Sequence, residues 1–260
     1  MAGAALPDLA VSSPALPAGS LSAEDTAAGE LRGSDAAAAE ISGSTRPGIL
    51  DHQIIRPGGP GKPLINISYP SLGRSDIDAD IRHWATSIAD AFEKHLDTEG
   101  FGLSGREDEA EQGPSYELWG SCDVSRPSDA AISLTFEIWT YTGGAHGNQD
   151  IITLNYSLIT GQRLGLVDLF EAPETALQLM SDWSYRELSR RLGGGRQEQM
   201  LRDGAAPTVE NFSSLTLTPA GLLINFQPYQ VAPWAAGAQK VEMPLDELLG
   251  ARPLLSIWGR

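Results

Sequence analysis

The sequence predicts an α+β fold in which an antiparallel sheet packs against two main helices, with a C-terminal hairpin subdomain. Three features point that way. Strand-like and helix-like stretches come in blocks, without the strict βαβ alternation of a doubly wound sheet. One long segment, Ile77 to Leu96, spaces its apolar residues three and four apart, the period of a helix with one buried face, and a second helical run from Pro173 is closed by three glycines. Near the end, the apolar runs 212–218 and 222–226 flank Pro219-Ala-Gly221, a hairpin signal with a three-residue loop.

Residues 1–62 are mostly Ala, Gly, Ser and Pro with scattered acids and no aromatic side chain. Such a stretch buries too little apolar surface to offset its ordering entropy, so a flexible linker is expected there. Order is expected from Pro63, where the branched run to Pro70 reads as a strand. Ser75 before Asp76-Ile-Asp78 resembles a capping box, and Ile77, Ile81, Trp84, Ile88, Phe92 and Leu96 mark an amphipathic helix to about Asp97. Residues 99–113 are polar and Gly-rich, a loop. Three strands of an antiparallel meander follow at 116–126, 131–141 and 150–159. Alternation is clearest in the second, with Leu134, Phe136 and Ile138 on one face and Thr135, Glu137 and Trp139 on the other. A second helix spans 173–192 and stops at Gly193 to Gly195. A polar connection through 202–207, the hairpin, a last strand at 240–243 and a helical turn at 245–249 complete the chain. Residues 63–170 and 171–260 are expected to form an N-terminal and a C-terminal part of one compact unit.

Charge narrows the partners. The chain carries −16, of which seven acids and three arginines put −4 on residues 1–60 and leave −12 on the rest. An acidic field repels nucleic acid and anionic lipid, and it steers basic partners toward the surface. No apolar stretch is long enough for a membrane span. Met1 to Pro7 has neither the charged segment nor the apolar run of a signal peptide, so either the protein is cytoplasmic or a leader, with or without a lipid anchor, was removed ahead of this start; the extracytoplasmic address is the expected one. Cys122 is the sole cysteine, which excludes an intrachain disulfide and a cysteine-based zinc site.

Catalytic chemistry finds little to work with. The four histidines are His52, His83, His95 and His146, and none stands at helical metal-ligand spacing to another. Asp76-Ile-Asp-Ala-Asp80 imitates the start of a calcium loop but lacks its sixth-position Gly and twelfth-position Glu. Nucleophile elbow, phosphate loop and dinucleotide fingerprint are missing. No cofactor, no metal and no enzymatic activity are expected. The low-ranked alternative is a glycan enzyme with His146 as base and Glu137 or Asp150 orienting it.

Two segments stand out instead. In Tyr141-Thr-Gly-Gly-Ala-His-Gly-Asn148, the glycines Gly143 and Gly144 flank His146 together with Gly147, which suits either a tight turn or close backbone approach to a ligand. In Phe226 to Gly237, Pro228 and Pro233 stiffen a loop carrying Tyr229 and Trp234, which serve either as plugs under the loop or as preordered binding groups. The candidate binding residues are therefore Tyr141, Gly143, Gly144, His146, Asn148, Pro228, Tyr229 and Trp234. Trp139, Tyr141, Tyr229 and Trp234 suit sugar rings if they are exposed.

Together with Ile65 to Phe92, Asn155-Tyr156, Gly161, Leu166-Val-Asp-Leu-Phe170, Pro207 to Phe212 and Leu217 to Leu222, these segments resemble a known pattern. It is that of the extracytoplasmic domain shared by RsiV-type anti-sigma factors and the N-terminal region of PdaC-type peptidoglycan deacetylases, and it spans about residues 63 to 249. The resemblance implies an α+β domain outside the cytoplasmic membrane. It implies binding of lysozyme or another basic cell-envelope protein, or alternatively of peptidoglycan or another glycan without catalysis.

Overall fold

The computed structural model describes residues 49–59, 62–98, 116–143, 146–192 and 198–260. The expected linker up to residue 48, the whole of the expected loop at 99–113, Gly144 and the helix stop at Gly193 to Gly195 lie outside the described residues. The described chain from residue 49 onward falls in one compact unit.

Five strands, β1 (Leu50–Arg56), β2 (Leu64–Ser71), β3 (Glu117–Ser125), β4 (Ala131–Tyr141) and β5 (Asn148–Ser157), form a sheet in that order. Neighbours are antiparallel except β2 and β3, which run parallel because helix α1 (Ser75–Thr98) lies between them in the chain. The expected antiparallel sheet is thus a mixed one. β1 corrects the linker boundary, since a strand lies within the expected linker, starting thirteen residues before Pro63, at Leu50. Its alternate residues explain why: Ile54 joins the core, His52 stacks on Tyr69 at 5.7 Å, and Arg56 pairs with Asp90 and Glu93 of α1, each at 2.5 Å.

α1 buries Ile77, Ile81, Trp84, Phe92 and Leu96 against Ile65, Ile67, Leu118, Leu134, Phe136 and Ile138. Trp84 and Phe136 meet at 4.3 Å between ring centroids. Each such side chain contributes about 1.5–3 kcal/mol of burial. The helix starts at Ser75 itself, and Asp78 does not close a capping box there. Its carboxylate reaches back to accept from Leu72 N–H (2.7 Å) and Ser71 Oγ–H (2.9 Å), clasping α1 to the end of β2. Asp80 clasps the other side, accepting from the Tyr156 hydroxyl at 2.8 Å and from Arg163 Nε at 2.6 Å. Burial, and then this bond to Asp80, push the Tyr156 phenol well above its ordinary range.

The second layer is a sheet of β6 (Leu215–Thr218), β7 (Gly221–Phe226) and β8 (Gln239–Pro244). The hairpin loop is two residues, Pro219 and Ala220, because Gly221 is already paired with Thr218. After the short helix α2 (Leu166–Leu169), helix α3 (Pro173–Leu192) packs on this second sheet and on the 3-10 helix Leu245–Ala251. The two main helices therefore serve different sheets. Trp183 Nε1 and Arg191 tie α3 to β8 by donating to the Glu242 carbonyl (2.8 Å) and the Lys240 carbonyl (2.6 Å). Part of the expected polar connection is helix α4 (Glu198–Gly204), which turns Leu201 inward and carries a Glu198–Arg202 pair one turn apart at 2.5 Å.

The sheets meet through a polar seam. The edge of β6 not paired with β7 points its backbone at β4 and β5, where short polar side chains take the place of a strand. Asn155 Nδ2 donates to the Leu215 carbonyl (2.9 Å), Leu217 N–H donates to Ser133 Oγ (2.7 Å), and Ser125 Oγ donates to the Leu217 carbonyl (2.8 Å). Ser133 in turn bonds Asn155, and the hydroxyls of Thr135 and Thr216 meet at 2.6 Å. Buried backbone polar groups need partners, and here side chains supply them.

Candidate functional site

Beyond the seam, the same sheet face turns aromatic. β4 alternation places Trp139 and Tyr141 in phase with Ser133 and Thr135, and β3 brings Trp119 directly opposite Trp139. Trp139 is 37% exposed and Trp119 42%. Trp139 lies nearly parallel to Tyr141, with centroids 6.2 Å apart and planes at 10°. Its indole rests on Gly147, where a Cβ would come within 2.4 Å of the ring. That close approach is what the glycine supplies.

The next residue along this surface, His146, stacks on Trp234 at 4.7 Å and 20°, and Trp234 meets Tyr229 at 5.6 Å. Two ring groups thus lie side by side, Tyr141 with Trp139 and His146 with Trp234 and Tyr229; the Gly147 backbone under Trp139 connects them into one aromatic band that joins the β4–β5 loop to the loop after β7. Trp234 begins a short 3-10 turn (Trp234–Ala236) whose preceding Pro233 fixes its entry.

Tyr229 is held in a strained turn. Gln230 N–H donates to the Gln227 carbonyl at 3.1 Å, Pro228 occupies the second position, and Tyr229 takes φ 67° at the third. That is the signature of a type II turn, whose third position ordinarily goes to Gly. The turn is locked from both ends. Gln227 uses its side-chain amide as a strand edge, accepting from Ile151 N–H (2.7 Å) and donating to the Ile151 carbonyl (2.6 Å). Gln230 Nε2 donates to the carbonyls of Gly204 (2.9 Å) and Asn211 (3.0 Å). Tyr229 is thus a bulky residue held at positive φ and left 54% exposed, a strain that persists only because the anchored turn holds it.

Of the residues singled out in sequence, His146, Tyr229 and Trp234 come into ring contact, while Tyr141 stacks on Trp139, whose indole rests on the neighbouring Gly147. Pro228 sets the turn. Gly143 takes φ 85° in the β4–β5 connection, and Asn148 sits exposed at the start of β5, opposite Thr140. Gly144 lies outside the described residues. Trp119, Glu117, Gln227 and Gln230 escaped the sequence reading. Trp119 and Glu117 had a signal, because they sit on the polar phase of β3, opposite to buried Leu118.

Acid–base chemistry has little geometry behind it. His146 Nδ1 donates to the Gly147 carbonyl at 2.9 Å. Glu137 accepts from Lys240 Nζ at 2.9 Å, and desolvation raises the Asp150 carboxyl above the usual range. Neither acid is the hydrogen-bond partner of His146 among the described residues. Among those residues, no group of three or more His, Cys, Asp or Glu side chains is disposed to hold a metal ion, and no helix is long and apolar enough to cross a membrane. Burial, with the neighbouring Asp123 and Asp51 carboxylates, pushes the Cys122 thiol above its ordinary range.

Comparison with known proteins fits this picture. Residues 167–246 match a family model described as a protein of unknown function, DUF3298. The chain is 24% identical over 175 residues to the peptidoglycan-N-acetylmuramic acid deacetylase PdaC of Bacillus subtilis strain 168, a match covering 67% of this chain and 36% of that protein. The chain thus spans about a third of the length of that relative. A DUF3298 family protein from Pseudomonas aeruginosa PAO1 has a crystal structure that superposes with TM-score 0.58 at 16% identity, covering 81% of this chain and 94% of that one. A DUF3298 member from Bacteroides fragilis NCTC 9343 superposes with TM-score 0.51 at 17% identity, covering 78% and 92%. The solved structures share the α+β fold, and the DUF3298 match together with the deacetylase relative agrees with the PdaC-type resemblance read from sequence.

Proposed function

We propose that this chain is an extracytoplasmic bacterial binding domain whose aromatic band takes the ring faces of cell-wall glycan without catalysing a reaction on it. The observation that carries the reading is the band itself: Trp119, Trp139 and Tyr229 stay exposed although each is large and apolar. Sugar rings offer flat, C–H-rich faces, and aromatic side chains offer the matching surface at little entropic cost. Pre-formed display of Tyr229 on a locked turn suits a ligand that is met as a rigid polymer. The PdaC relative is named for action on a peptidoglycan sugar, which supports both the glycan and an address outside the cytoplasmic membrane, in the periplasm or tethered to a lipid anchor.

Co-sedimentation with purified peptidoglycan sacculi tests this. Wild-type protein should pellet with the sacculi, and Trp139→Ala and Tyr229→Ala should each weaken binding about five- to tenfold, the loss of one ring stack. Wild-type protein left in the supernatant, or variants that pellet equally well, would sink the reading.

A second reading has its own observation. The net charge of −16 favours a basic protein of the envelope or of host secretions, lysozyme being the one that the RsiV side of the resemblance implies. Titration with c-type lysozyme at low salt should then show binding that fades with ionic strength. Absence of both binding and protection against wall lysis removes it.

A further inference from the structure

We infer that the glycan taken by this band carries free amines, and that Trp119 with Glu117 forms the subsite that selects them. The inference rests on the glycan reading and narrows its substrate class. Trp119 Nε1 donates to Glu117 Oε2 at 3.0 Å, which pins a carboxylate to the rim of an exposed indole. Glu117 lies opposite Tyr141 and Trp119 opposite Trp139, so one carboxylate stands beside three aromatic rings on the same sheet face.

Charge on that face has one sign. Alternation along β1 and β3 puts the exposed carboxylates of Asp51 and Asp123 on the same side as Glu117 and Trp119, and none of the residues facing this side from β1 to β5 is Lys or Arg. Glu137, nearer the seam, is neutralised by Lys240. Glu117 has no such partner among the ion pairs of the described residues; its contact is the indole N–H. A pyranose stacked on Trp119 projects its ring substituents over the indole rim. An ammonium there meets both the Glu117 carboxylate and the negative face of the neighbouring rings, whereas a neutral acetamido group gains neither.

Isothermal titration of the full chain with chitosan oligosaccharides and with their fully N-acetylated chitin counterparts tests the inference. The de-N-acetylated probe should bind about tenfold more tightly at low salt, the sum of one exposed ion pair and one cation–π contact. Glu117→Gln should erase that preference, and Trp119→Ala should weaken binding of both probes. Glu247→Gln, which removes an exposed acid from the C-terminal 3-10 helix, should keep the preference. Equal affinity for the two probes, survival of the preference in Glu117→Gln, or equal loss in Glu247→Gln each overturns the amine subsite and leaves the glycan reading standing. Failure of both probes and of sacculi to bind removes both. Binding of a lysine-rich peptide alone, sensitive to Glu117→Gln, would assign the site to a basic protein and overturn the inference as well.

Discussion

One face of the five-stranded sheet meets two different fates. Over β4 and β5 its residues are Ser133, Thr135, Thr153 and Asn155, and the three-stranded sheet closes over them. Toward β3 and the far ends of the strands, the same alternation phase carries Trp119, Trp139 and Tyr141 and stays open. The polar half is the buried one. Short side chains with donors and acceptors can stand in for a missing strand, and the free edge of β6 supplies the matching backbone groups. Large rings cannot follow an edge in that way, and no element among the described residues covers them. Hydropathy alone would assign burial to the wrong half; hydrogen-bond valence assigns it correctly.

The strongest test of the contrast is Asn155→Ala set against Trp119→Ala. The first leaves the Leu215 carbonyl without its side-chain donor and strips Ser133 of its partner inside the seam, so about 3 kcal/mol of stability should go. The second removes an exposed ring and should cost less than about 1 kcal/mol. Urea denaturation of both variants reads the difference directly. Comparable midpoints would mean that the seam is not the mechanical joint described here.

Gln227→Ala probes the point where the halves communicate. It deletes two hydrogen bonds to Ile151 and frees the turn beneath Tyr229, and about 2 kcal/mol should be lost. Binding to sacculi should fall in parallel, since the display of Tyr229 depends on that anchor. A variant that loses stability but binds normally would separate the turn from the ligand.

Much of this architecture was legible in the chain. The apolar spacing of α1 and the alternation of β4 follow from periodicity, because each element buries one face against a continuous core, and the bounds of α3 follow from Pro173 at its start and the glycines after Leu192. β1 was hidden because its inward residues are His52, Ile54 and Arg56, and only one of them is apolar. Its pairing depends on α1, which sits in a later part of the sequence. The β4–β5 loop and the loop after β7 were visible through their glycines and prolines, yet their meeting at His146 and Trp234 is tertiary. Trp119 was overlooked because a tryptophan in a strand is ordinarily core, and only its phase relative to Leu118 says otherwise. The seam had no sequence signature: serine and threonine on a strand face read as solvated until another sheet supplies their partners.

Gly147→Ala perturbs the open half without touching a ring. The added methyl would come within 2.4 Å of the Trp139 indole, and that ring, being partly exposed, can swing away at a cost of about 1 kcal/mol. Sacculus binding should fall as far as in Trp139→Ala. Unchanged binding would show that the seat of Trp139 is irrelevant to its role.

The smallest stability effect should come from Tyr229→Gly, which makes it the sharpest separation of folding from display. A non-glycine residue at φ 67° costs about 1–2 kcal/mol relative to a relaxed backbone, and the substitution removes that strain. Glycine's greater freedom in the unfolded chain returns about 0.5–1 kcal/mol of that gain. Folded stability should therefore stay level or rise by up to about 1.5 kcal/mol, while affinity for sacculi falls as in Tyr229→Ala. A clear loss of stability would mean that the Tyr229 ring packs more than it displays, and the strained turn would then need a structural explanation in place of a binding one.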